Sequence, residues 1–259
     1  MVMVDEHSLV ERLLAAGVEP GTDPLVAWRR LHEHEGPRAT VIDLYALAAE
    51  PRGLTAQELP LHERLALARA AMPDVWPGFS LTADSERAGD VIRIVDHDAG
   101  WAQTYERWRE VLWACLGDAA LRIEHVGSTS VDGLPAKPIV DIQVSVADLA
   151  DEPRYVPALE GTGLQLRSKD DLHRYFRPFR GRPRDVHVHV CTADSDWERE
   201  HLLFRDYLRS APPACEAYAD AKRRAAAMWA DDAIAYTEGK SRVILSLLQE
   251  AQEALVNGR

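Results

Sequence analysis

Apolar positions recur at helical spacing through the first third of the chain and at strand spacing in its middle. Leu9, Val10, Leu13 and Leu14 lie one, three and four residues apart, and Gly17 closes the run. From Pro24 onward, Leu25, Trp28 and Leu31 share one helical face, with Arg29, Arg30 and Glu33 on the other. A third apolar segment, ATVIDLYALAAEPRGL, ends at Pro51 and Gly53. A fourth helix is predicted from Leu61 to Met72, and the proline and glycine of MPDVWPGF break it. These segments define a small helical module over residues 1–80, and the polar stretch TADSERAGD, residues 82–90, reads as a linker.

From Val91 the pattern changes. VIRIV predicts a short strand, and Trp101, Tyr105, Trp108, Val111 and Leu112 then fall on one face of a helix that Asp98 caps. Such an aromatic face packs against a sheet or, in the alternative, offers a platform for a base. An apolar run ends at Val126, and a second strand is predicted where Ile139, Val140, Ile142 and Val144 surround Asp141 and Gln143, which share one face. Val186, Val188 and Val190 alternate with His187 and His189, so both imidazoles emerge from one face of a later strand. Between these strands, a stretch with Pro153 and Pro157 reads as a helix or turn ended by Gly161 and Gly163. Helical periodicity fills the remainder, running without a break from Ala233 to Val256, with helices expected to cover one face of the sheet.

Composition narrows the function. A net charge of -12 argues against a nonspecific binder of nucleic acid or of an anionic membrane, because neutralising phosphates needs clustered cations. The stretch from Arg167 to Arg184 is nevertheless rich in arginine, which suits a phosphate or acidic ligand and equally suits solvated strand edges. No apolar run approaches the roughly 20 residues of a spanning helix, and the N-terminus lacks a basic segment followed by an apolar core, so a cytoplasmic location and no membrane partner are expected. Three scattered cysteines suggest reduced thiols.

The candidate chemistry lies in EHVGSTSVDGLPAKPIVDIQVSV, residues 124–146. Gly127, Ser128 and Thr129 supply small residues whose backbone N–H groups and hydroxyls can crowd an anion, and Lys137 adds a cation. Asp141 on an apolar strand is costly to bury alone and points to a metal or a polar cleft. Neither the GxxxxGK[ST] nor the GxGxxG pattern occurs, which sets aside a P-loop and a Rossmann turn. Borderline metals accept imidazole, so Asp141, His187 and His189, with His125 nearby, could ligate zinc or manganese; polar histidines bonded within the cleft are the other reading.

The segment HVGSTSVDGLPAKPIVDIQV, with Trp101 and Tyr105 upstream and HVHV, H...F..YLR and Y...K downstream, resembles the GrpB family over roughly residues 90–255. The resemblance implies an α+β fold: a nucleotidyltransferase-like mixed β-sheet with covering helices over residues 90–259, here behind the helical module. In nucleotidyltransferases a Gly-Ser turn holds the triphosphate, and two carboxylates one residue apart hold divalent metal ions. This chain keeps the turn and Asp141 but carries Gln143 in the second place, and an amide is a weaker ligand for a hard cation. Two functions therefore stand. One is a degenerate domain that binds a nucleotide or small phosphorylated ligand, or serves a protein partner as a folding or scaffolding module. The other is a nucleotidyltransferase using Mg or Mn, with an unidentified acceptor. In either, Gly127, Ser128 and Thr129 would cradle phosphates while Lys137, Arg184 and Lys240 neutralise charge, Lys240 pairing with Tyr236 on one helix face.

Overall fold

The structure, a computed structural model, describes residues 8–82 and 91–257. The expected linker thus lies, beyond Thr82, outside the described residues. In chain order the helices are α1 (Leu9–Ala15), α2 (Pro24–Glu35), α3 (Val41–Ala49), α4 (Leu61–Val75), α5 (Gly100–Leu116), α6 (Val156–Gly161), α7 (Asp196–Ser210), α8 (Pro212–Met228), α9 (Ala233–Glu238) and α10 (Ser241–Asn257). The strands are β1 (Ser80–Leu81), β2 (Arg122–Val126), β3 (Val140–Val146), β4 (Leu164–Lys169), β5 (His173–Pro178) and β6 (Val186–Thr192). By contact the chain groups into two compact units. One gathers the N-terminal helices through Pro77 with Asp220–Ser246, and the other holds Arg93–Ala219 with the tail from Leu247.

In the first unit local caps start the helices and buried ions tie them together. Ser8 and Glu11 form a capping box at α1, and Asp23 accepts from the Leu25 and Val26 amides at α2. Asp43 accepts from the Thr40 amide at 2.8 Å, capping α3, and also from the buried Arg12 at 2.8 Å. Thus one carboxylate serves both a cap and a buried ion pair. The Trp28 indole donates to the Thr40 carbonyl at 2.8 Å, and Tyr45 meets Trp229 edge-on. Arg64, itself buried, pairs with Asp231 and Asp232.

The second unit is built on a six-stranded sheet in the order β1-β4-β5-β6-β3-β2. Only β3 and β6 run parallel; the other neighbours are antiparallel. The expected α+β sheet with covering helices and a helical N-terminal region is therefore present. Strand parity divides the sheet into two chemically different faces. Ile123, Ile142, Val144, Val188, Val190, Phe176 and Leu164 build an apolar face, covered by Leu112 and Leu116 of α5 and Leu159 of α6. The opposite face carries Asp141, Gln143, His187 and His189, and α7 lies over it. Glu198 of α7 accepts from Ser145 and from Arg122 there, and Arg205 pairs with Glu124 at 2.8 Å.

Three local expectations are corrected. VIRIV forms no strand: its contribution is one bridge, Val95 to Ala136. The arginine-rich stretch contains a β-hairpin, β4–β5, where no strand pair was expected. Its turn is set by Asp170, whose side chain accepts from the Leu172 and His173 amides. Finally, the C-terminal helical run breaks at Gly239 between α9 and α10. A β-carbon there would lie 3.1 Å from the Ala235 carbonyl oxygen and 3.3 Å from the Ala225 methyl, so the chain turns where only glycine packs without displacement.

Candidate functional site

The site is assembled from the ends of β2, β3 and β6. Gly127 leaves β2 with φ +69°, a conformation that glycine adopts without strain, and it lies directly against Asp141. A β-carbon at position 127 would fall 2.5 Å from Asp141 Oδ2. The parallel register sets Asp141 opposite His187 and Gln143 opposite His189. His187 Nδ1 consequently stands 3.2 Å from Asp141 Oδ1, and His189 Nε2 stands 3.8 Å from the same oxygen.

These contacts set the protonation states. Burial disfavours the Asp141 carboxylate, but the hydrogen bond from His187 and the close approach of His189 outweigh it and hold the group well below the usual carboxylate range. Burial lowers His187 to about 4 against the pull of Asp141, and the positive charges of Arg184 and Lys137 push it further down. His187 is therefore neutral at physiological pH. Arg184 Nε lies 3.4 Å from His187 Nε2, and a guanidinium only donates, so Nε2 accepts and the imidazole proton sits on Nδ1, toward Asp141.

Sequence-expected residues divide into those the fold brings together and those it does not. Gly127, Asp141, His187, His189 and Arg184 converge, and Lys137 is near enough for its charge to act on His187. Ser128 hydrogen-bonds Tyr218, whose hydroxyl burial pushes up to about 12. Thr129 is turned away: its hydroxyl meets His125 Nε2 at 3.0 Å, and His125 stacks on Tyr105 on the apolar side of the sheet. Register explains this, since His125 pairs with Ile142 rather than with Asp141. Lys240 belongs to the first unit and sits 4.4 Å over the Tyr236 ring, just past the break at Gly239. Within the arginine-rich stretch, Lys169 and Arg174 pair with Glu152.

Gln143 is fully buried, and neither its Oε1 nor its Nε2 has a protein partner among the described residues; the same holds for His189 Nδ1. A divalent ion fits this arrangement poorly. The amide is sealed under the sheet's cover, both imidazoles address one carboxylate oxygen, and His187 Nε2 is engaged by a cation. Among the described residues no three His, Cys, Asp or Glu side chains are arranged to hold a metal ion.

Several neighbours escaped sequence reasoning. Tyr175 packs its ring 5.2 Å from both His187 and His189. His173, His189 and Trp197 are mutual ring neighbours, and Trp197 stacks on His201 at 3.7 Å. Tyr175 and His173 were hidden with their hairpin; had β5 been recognised, its alternation would have exposed both. Trp197 and Tyr218 carry no local signal, being aromatics on amphipathic helices whose spacing does not mark the face that meets the site.

The chain is similar to known proteins over its C-terminal two thirds. Residues 91–250 match the sequence pattern of the family described as GrpB protein. The chain is 43% identical to a UPF0157 protein of Streptomyces coelicolor over 63% of its own length and 86% of that protein. It is 38% identical to a UPF0157 protein of Pseudomonas aeruginosa over 69% of its length and 75% of the relative. The crystal structure of a conserved GrpB protein from Enterococcus faecalis superposes with a TM-score of 0.56 at 28% identity, covering 63% of this chain and 99% of that one. No helix among the described residues is long and apolar enough to cross a membrane.

Proposed function

This chain belongs to the GrpB family, and we propose that its sheet unit binds a small phosphorylated ligand, foremost a nucleotide, without transferring a nucleotidyl group. The observation that carries this reading is the replacement of a second strand carboxylate by the buried Gln143 amide, beside a retained glycine turn and two cations. A two-metal site is held by paired strand carboxylates, and this strand supplies one carboxylate. Arg184 and Lys137 instead supply charge that phosphates recognise directly. A ligand-binding domain of this kind would act in the cytoplasm as a folding or scaffolding module for a protein partner.

Calorimetry with the four nucleoside triphosphates tests the binding, and a pyrophosphate-release assay with manganese and varied hydroxyl and amine acceptors tests the chemistry. Saturable binding that weakens with added salt is expected, with pyrophosphate release no higher than that of Asp141→Asn. Release that depends on Asp141 would establish the metal-dependent nucleotidyltransferase instead.

A further inference from the structure

Asp141, His187 and Arg184 stand in series. The guanidinium offers an N–H to His187 Nε2 at 3.4 Å, and the imidazole passes a second N–H to Asp141 Oδ1 at 3.2 Å. The sequence of groups is cation, neutral ring, anion, so the charge of the carboxylate is balanced across the imidazole. Tyr175 braces the arrangement: its ring lies edge-on to His187, and its hydroxyl hydrogen-bonds Arg184. On the other side of the carboxylate, Gly127 closes against Oδ2. The strand thus holds one anionic charge where a divalent ion would call for more. The Arg184 guanidinium, with Lys137 nearby, already balances the Asp141 carboxylate; a divalent ion would add excess positive charge beside a buried amide that does not neutralise it.

We infer that Arg184 is the resident cation of this site, occupying the role that the fold's resemblance to nucleotidyltransferases gives to a divalent ion, so that phosphate binding here is independent of metal. The inference rests on the ligand reading above for the identity of what is bound, while the relay itself stands on geometry. His187 is then a positioning residue. It fixes the plane of the guanidinium through Nε, and Asp141 fixes the tautomer that lets His187 accept. A planar, permanently charged fork placed this way favours the oxygens of a phosphate chain.

Two measurements on the full chain decide the matter. The first is binding of inorganic triphosphate and of ATP in EDTA and in manganese. Wild type is expected to bind in EDTA within about threefold of its affinity in manganese. Arg184→Ala should lose at least about tenfold in EDTA and recover part of it with added guanidinium ion. The same variant should gain a bound-Mn²⁺ signal by electron paramagnetic resonance, because His187 Nε2 is released as a ligand. Binding by wild type that EDTA abolishes would overturn the inference. The second measurement needs no ligand: ¹⁵N resonance of the His187 ring, expected to show a protonated Nδ1 and an accepting Nε2 whose shift moves in Arg184→Ala. A ring protonated at Nε2 in wild type overturns the relay. Failure to bind triphosphate with or without manganese overturns the ligand reading, and the tautomer then decides the relay alone.

Discussion

Gly127 and Asp141 meet so closely that a β-carbon at position 127 would lie 2.5 Å from Asp141 Oδ2 and 3.0 Å from its β-carbon. The carboxylate is thereby pressed toward the two histidines, and the turn that could receive an anion is fixed to the strand that bears Asp141. Gly127→Ala must both adopt φ +69° and displace Asp141. A loss of roughly 2–4 kcal/mol in urea unfolding is expected, with a broadened or shifted His187 ring resonance. A fully stable variant with an unchanged spectrum would show that the turn can move without the carboxylate.

Glu198 fastens α7 to the polar face of the sheet. It is 2% exposed and accepts from Arg122 Nε at 2.8 Å, from the Ser145 hydroxyl and from the Asp194 amide. Burial opposes its charge, and these bonds outweigh burial and hold it below the ordinary 4.5. Glu198→Ala, which leaves the buried Ser145 hydroxyl without its acceptor and Arg122 with Asp194 alone, should cost about 1–3 kcal/mol, and Glu198→Gln less. The depressed carboxyl contributes stability above pH 4.5 that is lost as pH falls through its folded value. The wild-type advantage over Glu198→Gln should therefore shrink in acid.

His125 and His187 are both buried, and burial lowers each from 6.5 to about 4. In this window the unfolded chain binds protons that the folded chain refuses, so stability rises with pH between 4 and 6.5. Each histidine should contribute up to about 3 kcal/mol of this dependence. Thermal unfolding from pH 4 to 7 reads it, and His125→Gln should flatten the slope. A Tm independent of pH across the window would contradict the assignment.

Glu238 in the first unit behaves in the opposite sense. Burial raises it from 4.5 to about 7, with Lys240 opposing and Asp43 adding to the rise. Here the folded state binds the extra proton, so the wild-type chain loses stability as pH increases from 4.5 to 7. Glu238→Gln should be close to neutral at pH 5 and stabilising by a few degrees in Tm at pH 8. Equal Tm differences at both pH values would remove Glu238 as the source.

Much of the molecule follows from short-range pattern. Helix starts at Ser8, Asp23 and Thr40 are written in caps three residues long, and period-two alternation puts Asp141 with Gln143 and His187 with His189 on strand faces. Family resemblance added the sheet and its covering helices. Tertiary structure alone decided which faces meet. Asp141 and His187 are 46 residues apart, and their pairing depends on a parallel register chosen by burying the valines of both strands together. The antiparallel register of β2 on β3 turned His125, and with it Thr129, to the apolar side. The β4–β5 hairpin was obscured because Lys169 and Arg174, both paired with Glu152, look locally like solvated charge. Arg184 could be named as a cation from its sequence. That its Nε would engage a histidine already committed to a carboxylate is a product of three strand ends converging, and no local preference encodes it.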